Sequence, residues 1–316
     1  MGLFPKPSIG LELGLPTGPK SQVFYVDPAN GDDDAQGQSP QKPLASIAEA
    51  LERCTANQHD VVAYIAGSSG ITLDDTLEWD KNYTHLVGLC APTAVGQRSR
   101  IFADADNDDV SPLIEISASG CIFQDLYVFN GVDDAGCLVN VEVSGGRNYF
   151  RNVHFAGGGH AANAIDGGAS LLLDGAEECL FEDCTIGLDT IAAATGMAGL
   201  LVDGDAKRCI FRDCRFTLYA GHAGAKFVEV VDAAGFDRYL LFERCLFLND
   251  AVAHTLTEAI TVPANMGSAT HRIVLKDCAI LGATDVEGNN RGIVYMNSGA
   301  ITAGGNSALM QVTNTT

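Results

Sequence analysis

Apolar and polar positions alternate along this chain in short bursts, and between residues 121 and 282 six bursts repeat nearly the same phrase. Each reads apolar, Phe, any residue, polar, apolar, any residue, apolar. The first is Ile122-Phe123-Gln124-Asp125-Leu126-Tyr127-Val128, and Leu replaces Phe in the last. The anchors stand at Phe123, Phe150, Phe181, Phe211, Phe242 and Leu275, so the repeat runs from 27 to 33 residues. Alternation of this kind is the period of a strand. Self-similarity at a period near 30 residues marks a solenoid, whose units bury their apolar faces against one another.

A second apolar run precedes most copies: Leu138–Val141, Leu171–Leu173, Leu200–Val202, Phe227–Val230 and Ile260–Val262. Between the runs lie turns such as Ser144-Gly145-Gly146, Asp174-Gly175 and Asp203-Gly204, rich in residues that tolerate positive φ. Strand, turn, strand, turn, with no helical period between, predicts successive coils of a right-handed, single-stranded parallel β-helix, an all-β fold. The Leu/Asn consensus and helical arc of a leucine-rich repeat are missing. Roughly eight coils at about 4.8 Å each make a rod about 40 Å long.

The coil positions fall into columns. Cys184, Cys214, Cys245 and Cys278 share one with Leu126 and Val153; Cys121, Cys179 and Cys209 share another with Leu240 and Ile273. Positions that accept Leu, Val and Ile interchangeably are core, so the cysteines read as a packed, reduced ladder. No C-x-x-C pair points to zinc. Asp125, Asn152, Asp183, Asp213 and Asp277 recur once per coil. A polar group in every rung reads as turn-forming, because a site needs its group once.

Three segments are expected: an extended arm at 1–22, the β-helix at 23–296 and a short C-terminal segment at 297–316. Residues 1–22 carry four of the ten prolines, with Leu3, Phe4, Ile9, Leu11, Leu13 and Leu15, and lack the basic start and unbroken apolar core of a signal peptide. An arm with this much apolar surface and no core of its own is expected to dock on a neighbouring subunit. Leu44, Ile47, Ala48 and Leu51 fall on one helical face, and Ser46 with Glu49 forms a capping-box pattern. A helix here is expected to cover the open N-terminal end of the coils.

The run Tyr25-Val26-Asp27, Gly31, Asp33, Gly37, Ser39-Pro40, then Pro43 and Ala50-Leu51, resembles the N-terminal signature of pectin-lyase-like right-handed β-helix proteins. With the coils, the resemblance covers roughly residues 23–285. It implies the fold and leaves the activity open, since polysaccharide lyases and hydrolases, bacterial surface proteins and trimeric phage tailspikes and head-decorating proteins share it.

Hydrolases of that family show Asn-x-Asp, Asp-Asp, Gly-His-Gly and Arg-x-Lys on successive coils. Here Gly159-His160-Ala161 and Gly221-His222-Ala223 read as lying apart from a suitable Asp-Asp. Asp74-Asp75, Asp108-Asp109 and Asp133-Asp134 sit in turns, and Arg272-Ile273 continues with Val274. The 19 Lys and Arg are scattered, with no basic pair in one column to serve a lyase. The acidic loop Asp27–Asp34 offers oxygen ligands for calcium but reads as a solvated turn. Trp79 with Tyr83 reads as rim packing and not as a sugar platform. No catalytic, cofactor-binding or metal-ligating residue is therefore assigned, and no cofactor is expected.

A net charge of −21 excludes a nucleic-acid groove. No Gly-rich strand–loop–helix suits a nucleotide, and no run suits a membrane span. Ten core cysteines point to folding in a reducing cytoplasm. The expectation is a non-enzymatic virion structural protein of a bacteriophage, folded in the host cytoplasm. It would be a homotrimeric capsid decoration or tail-associated protein, partnered by itself and by the major capsid protein. The alternatives are a glycan-binding or glycan-cleaving tailspike and a bacterial surface or adhesive protein.

Overall fold

In the computed structural model, the described residues are Leu15 and 18–301, apart from 233, 252, 269–270 and 289–291. The chain forms an all-β parallel solenoid of about seven turns. Each complete coil contributes three strands where the sequence pattern predicted two. The repeated phrase itself folds in the middle: Asp125, Asn152, Asp183, Asp213, Arg244 and Asp277 all take positive φ, between 50° and 55°. The polar column is thus a bend that splits each phrase into a first-face strand and a second-face strand, as in Leu180–Glu182 and Thr185–Ile186. Short polar side chains tolerate the left-handed region. The second apolar runs make the third face, a seven-stranded parallel sheet that includes Ile114–Ile116, Val139–Val143 and Ala169–Asp174.

Register is set by stacking like on like. Phe123, Phe150, Phe181, Phe211 and Phe242 are ladder partners on the first face. Their rings stack at 5.0, 4.5, 4.5 and 5.1 Å, all within 11° of parallel. Val128, Phe155, Ile186, Phe216 and Phe247 line the second face inside the same core. The cysteine columns are buried, with all ten thiols free. Each thiol of one column sits against the main chain of the coil below, Cys184 Sγ to Phe150 O at 3.5 Å and Cys214 Sγ to Phe181 O at 3.4 Å. Burial pushes the Cys214 thiol well up.

At the N-terminal end, Val23–Val26 pairs in parallel with Val61–Tyr64. Gly31 is a steric necessity, since a Cβ there would come within 2.0 Å of Leu44 O. Asp33 Oδ1 accepts from Ala45 N and Ser46 N, tying the acidic loop to the start of a seven-residue helix, Ile47–Arg53. The helix buries Ile47 and Leu51 as expected, with Ala50 in place of the exposed Ala48. Leu44 is buried too, but lies before the helix and bridges Val26. Ser46 Oγ accepts from Glu49 N, while Glu49 turns to Arg53. No described helix is long and apolar enough to cross a membrane.

Most of the arm, and residues 302–316 of the C-terminal segment, lie outside the described residues. The part of the arm that is described packs on its own coils: Leu15 against Val61 and Val87, and Gln22 N on Asp60 Oδ1 at 2.7 Å.

Candidate functional site

Residues on the third face alternate inward and outward, so its outward positions form one column along the rod. In register they are Glu78, Glu115, Glu142, Leu172, Leu201, Glu229 and Thr261. Their inward neighbours, Ile114, Ile116, Val141 and Val143, are fully buried and hold the strand in place. Three carboxylates thus stand on successive coils at a strand spacing of about 4.8 Å, followed by a half-buried apolar floor of Leu172 and Leu201. Lys226 pairs with Glu229 beyond it.

Glu142 is the distinctive member. Partial burial, then the nearby charges of Asp174 and Glu115, hold its carboxyl above the usual carboxylate range. A raised carboxyl beside a second carboxyl on the next coil is an arrangement compatible with acid–base chemistry.

The loops that lead into this face carry a second group. His160 Nδ1 lies 3.1 Å from Asp133 Oδ1, so the Gly-His-Ala and Asp-Asp segments that read as separate are brought together across one coil. The adjacent Asp134 accepts from the backbone N–H groups of Gly136 and Asp109, which lower its carboxyl below its usual range. His222 of the other Gly-His-Ala segment faces Thr195 Oγ1 at 2.6 Å instead. Trp79 is neither platform nor rim: it is fully buried and meets Phe123 edge-on at 5.3 Å, while Tyr83 is exposed. Asp27 spends its carboxylate on Ala29 N, Asn30 N and Asn30 Nδ2. Among the described residues no three His, Cys, Asp or Glu side chains converge on a metal-sized site.

On the first face the outward column is a charge ladder. Glu243 lies between Arg212, 3.0 Å away, and Lys276, 2.6 Å away, with Arg244 at 3.4 Å, and these cations lower its carboxyl to about 2. From Glu182 to Lys276 each charge is met by another, so this stretch of the column is cohesion; Arg151, the member before it, is exposed and has no ion-pair partner among the described residues.

Glu115 and Glu142 escaped notice in the sequence because each reads as one polar residue inside an apolar run. The signal is the triplet itself: Leu77-Glu78-Trp79, Ile114-Glu115-Ile116 and Val141-Glu142-Val143 place Glu at one position of three successive third-face strands, and Val228-Glu229-Val230 repeats it three strands further on.

No family model matches the sequence, and no curated protein is similar to it in sequence. Solved structures do match in shape. A pectin methylesterase from Aspergillus niger is 14% identical with a TM-score of 0.59, covering 93% of this chain and 89% of its own. A pectate lyase, Pel9A, is 14% identical with a TM-score of 0.63 over 90% of this chain and 70% of its own. A rhamnogalacturonan lyase is 13% identical with a TM-score of 0.59 over 88% and 73%. These neighbours correct the expectation of a chain that is not an enzyme. The architectures it shares are those of carbohydrate-active proteins, so missing sequence runs such as Arg-x-Lys are no ground for setting catalysis aside. At such identities the likeness establishes the fold alone: this chain is a pectin-lyase-like parallel β-helix.

Proposed function

We propose that this protein is a carbohydrate-active hydrolase that binds a glycan along the third face. The observation that carries the reading is the stacked pair Glu115 and Glu142, one coil apart, with Glu142 biased towards protonation. Glu142 donates a proton to the leaving oxygen. Glu115, as the carboxylate, attacks or activates water. Side chains rooted one coil apart, about 4.8 Å, are close to the shorter of the two carboxyl separations that glycoside hydrolysis uses. Leu172 and Leu201 give the apolar face of a sugar ring a floor next to the acids. A neutral or esterified chain suits the face, because a bare polyuronate is repelled by Glu78, Glu115 and Glu142. The fold neighbours, two of them named for lyase activity and one for methylesterase activity, support a glycan-directed role over a purely structural one.

The test is release of reducing ends and of methanol from a panel of neutral and methyl-esterified polysaccharides. Turnover should fall about 10²–10⁴-fold in Glu142→Gln and comparably in Glu115→Gln, with both variants folded. Activity should also decline as pH rises through the raised Glu142 titration, since the proton donor is then lost. No turnover across the panel, or turnover indifferent to both substitutions, ends this reading.

A virion component is the second reading, and the ten unpaired cysteines favour it, because they suit folding in a reducing compartment. Its test is whether the chain is present, and as a trimer, in gradient-purified particles.

A further inference from the structure

Loop 90–99 crosses the second face as a pinned crest. Thr185 Oγ1 donates to Ala94 O at 2.6 Å, and Gln97 Nε2 donates to Asn152 O and Oδ1 at 2.9 and 2.8 Å. Gly96 N donates to Nδ1 of the buried His154, whose Nε2 faces Gly187 O at 2.9 Å. A groove lies on each side of the crest. One, of about 490 Å³, is lined by Arg98, Arg100, Ser68, Ser69 and Cys90. The other, of about 360 Å³, runs round the bend to the edge of the first face and is lined by Arg215 and Thr93, by Asp125 and Asp183 at the bend, and by Gln124 and Arg151 of the first-face column.

The arginines are what set this region apart. The protein carries a net charge of −21, and cations elsewhere, such as Arg147, Arg208, Arg212 and Arg244, are tied to carboxylates. Arg98, Arg151 and Arg215 are exposed and have no ion-pair partner among the described residues. Arg100 Nε is buried without a hydrogen-bond partner. Four cations with unspent donors therefore flank one loop of an acidic molecule.

Their spacing follows from the ladder. Arg100, Tyr127, His154, Thr185 and Arg215 form one column on five successive coils. The four steps between the end members span about 19 Å. The crest covers the middle of that column, leaving a cation at each end.

We infer that this face binds a second glycan segment, a hydroxyl-rich chain bearing carboxylates at intervals, laid across loop 90–99 with arginines holding its anionic groups on either side. The guanidinium fork matches a carboxylate. Both groove volumes suit short saccharide segments. Asp125 and Asp183 in the second groove decide against a dense polyanion: they accept from sugar hydroxyls but repel closely spaced phosphates or sulfates. The site is distinct from the glutamate column, which lies on another face, and it does not depend on that column's chemistry.

The probe is a hexamer of galacturonate, with a galactose hexamer and a heparin oligosaccharide as comparators, measured by calorimetry on the full chain. Galacturonate should bind, weakening with added salt, while the galactose hexamer should not. Arg98→Gln alone and Arg151→Gln with Arg215→Gln should each lower affinity by about tenfold or more, as loss of charged hydrogen bonds does. Glu142→Gln should leave binding unchanged, which separates this site from the catalytic proposal. Cys90, the one cysteine not fully buried, lines the first groove, so galacturonate should slow its alkylation. The inference is overturned if galacturonate fails to bind, if the arginine variants bind as well as the parent, or if heparin binds more tightly than galacturonate.

Discussion

Replacing Phe211 by Ala tests the stacking argument at its centre. The ring is fully buried and lies face to face with Phe181 at 4.5 Å and 9° and with Phe242 at 5.1 Å and 11°, with Phe216 edge-on at 5.7 Å. Large core truncations cost about 3–5 kcal/mol, and the figure rises with the cavity that remains. Here little of the cavity can close. Phe181 and Phe242 are fixed by their own ladders, and the coil spacing of about 4.8 Å is held by backbone hydrogen bonds on both sides. Ring–ring terms of about 0.5–1.5 kcal/mol act beyond area burial. The expected loss is therefore in the upper part of the range, about 4–5 kcal/mol. Phe211→Leu keeps most of the volume and forfeits the stack, so it should lose only about 1–1.5 kcal/mol. Urea unfolding reads both, as a shift in midpoint at constant slope. A fall in slope would instead report coils that unfold separately, as repeat architectures permit. A loss below about 2 kcal/mol for the alanine, or equal losses for alanine and leucine, would refute the picture of rings locked in a ladder that cannot relax.

Two further outcomes follow from buried titratable groups. Burial lowers His154 to about 4; burial and then the charge of His59 lower His85 to about 4, from an ordinary 6.5. Between 6.5 and about 4 the unfolded chain takes up protons that the folded one refuses. Stability present above pH 6.5 should thus decline towards pH 4, by on the order of 3 kcal/mol per histidine. Urea midpoints of the parent and of His154→Gln should converge as the pH falls, and a constant gap from pH 7 to 4.5 would contradict the assignment. Nine of the ten cysteines are buried, so a thiol reagent should titrate Cys90 quickly in the native protein and all ten after unfolding. Fast reaction at a second thiol would break the core-ladder account.

The fold was legible because a solenoid writes its core once per coil. Phe150, Phe181 and Phe211 recur at matching steps, so three strands and their register can be read from one phrase. The bend inside the phrase was less visible. Asp183 and Asp213 looked like turn residues, correctly, yet the apolar alternation continues on both sides of them as if through one strand. Positive φ at a single residue rotates the chain without interrupting the pattern, so hydrophobic periodicity alone does not count the faces. The helix face was read correctly at Ile47 and Leu51 and missed at Ala48, while the helix start was placed too early. Leu44 has the right spacing for a helical position, but it is used in a bridge to Val26 before the helix starts.

The candidate site was hidden by the same repetition that revealed the fold. On a β-helix a site is a set of outward side chains on neighbouring coils, separated in sequence by the full coil length. Glu115 and Glu142 are ladder partners, yet they stand 27 residues apart and Glu78 stands 37 before Glu115, because the turns differ in length. A search for local motifs has nothing to find in such a set. The recurrence of acids in a column was also taken as a sign of turns, and this holds where the residue has positive φ, as at Asp183. It fails where the residue sits mid-strand between two buried apolar neighbours, because an outward strand position is free to be anything that water tolerates. Three successive coils choose Glu there and the next two choose Leu. The column then returns to Glu229 and Thr261, and it is this local change of character, acid and then apolar, on which the proposed glycan reading rests.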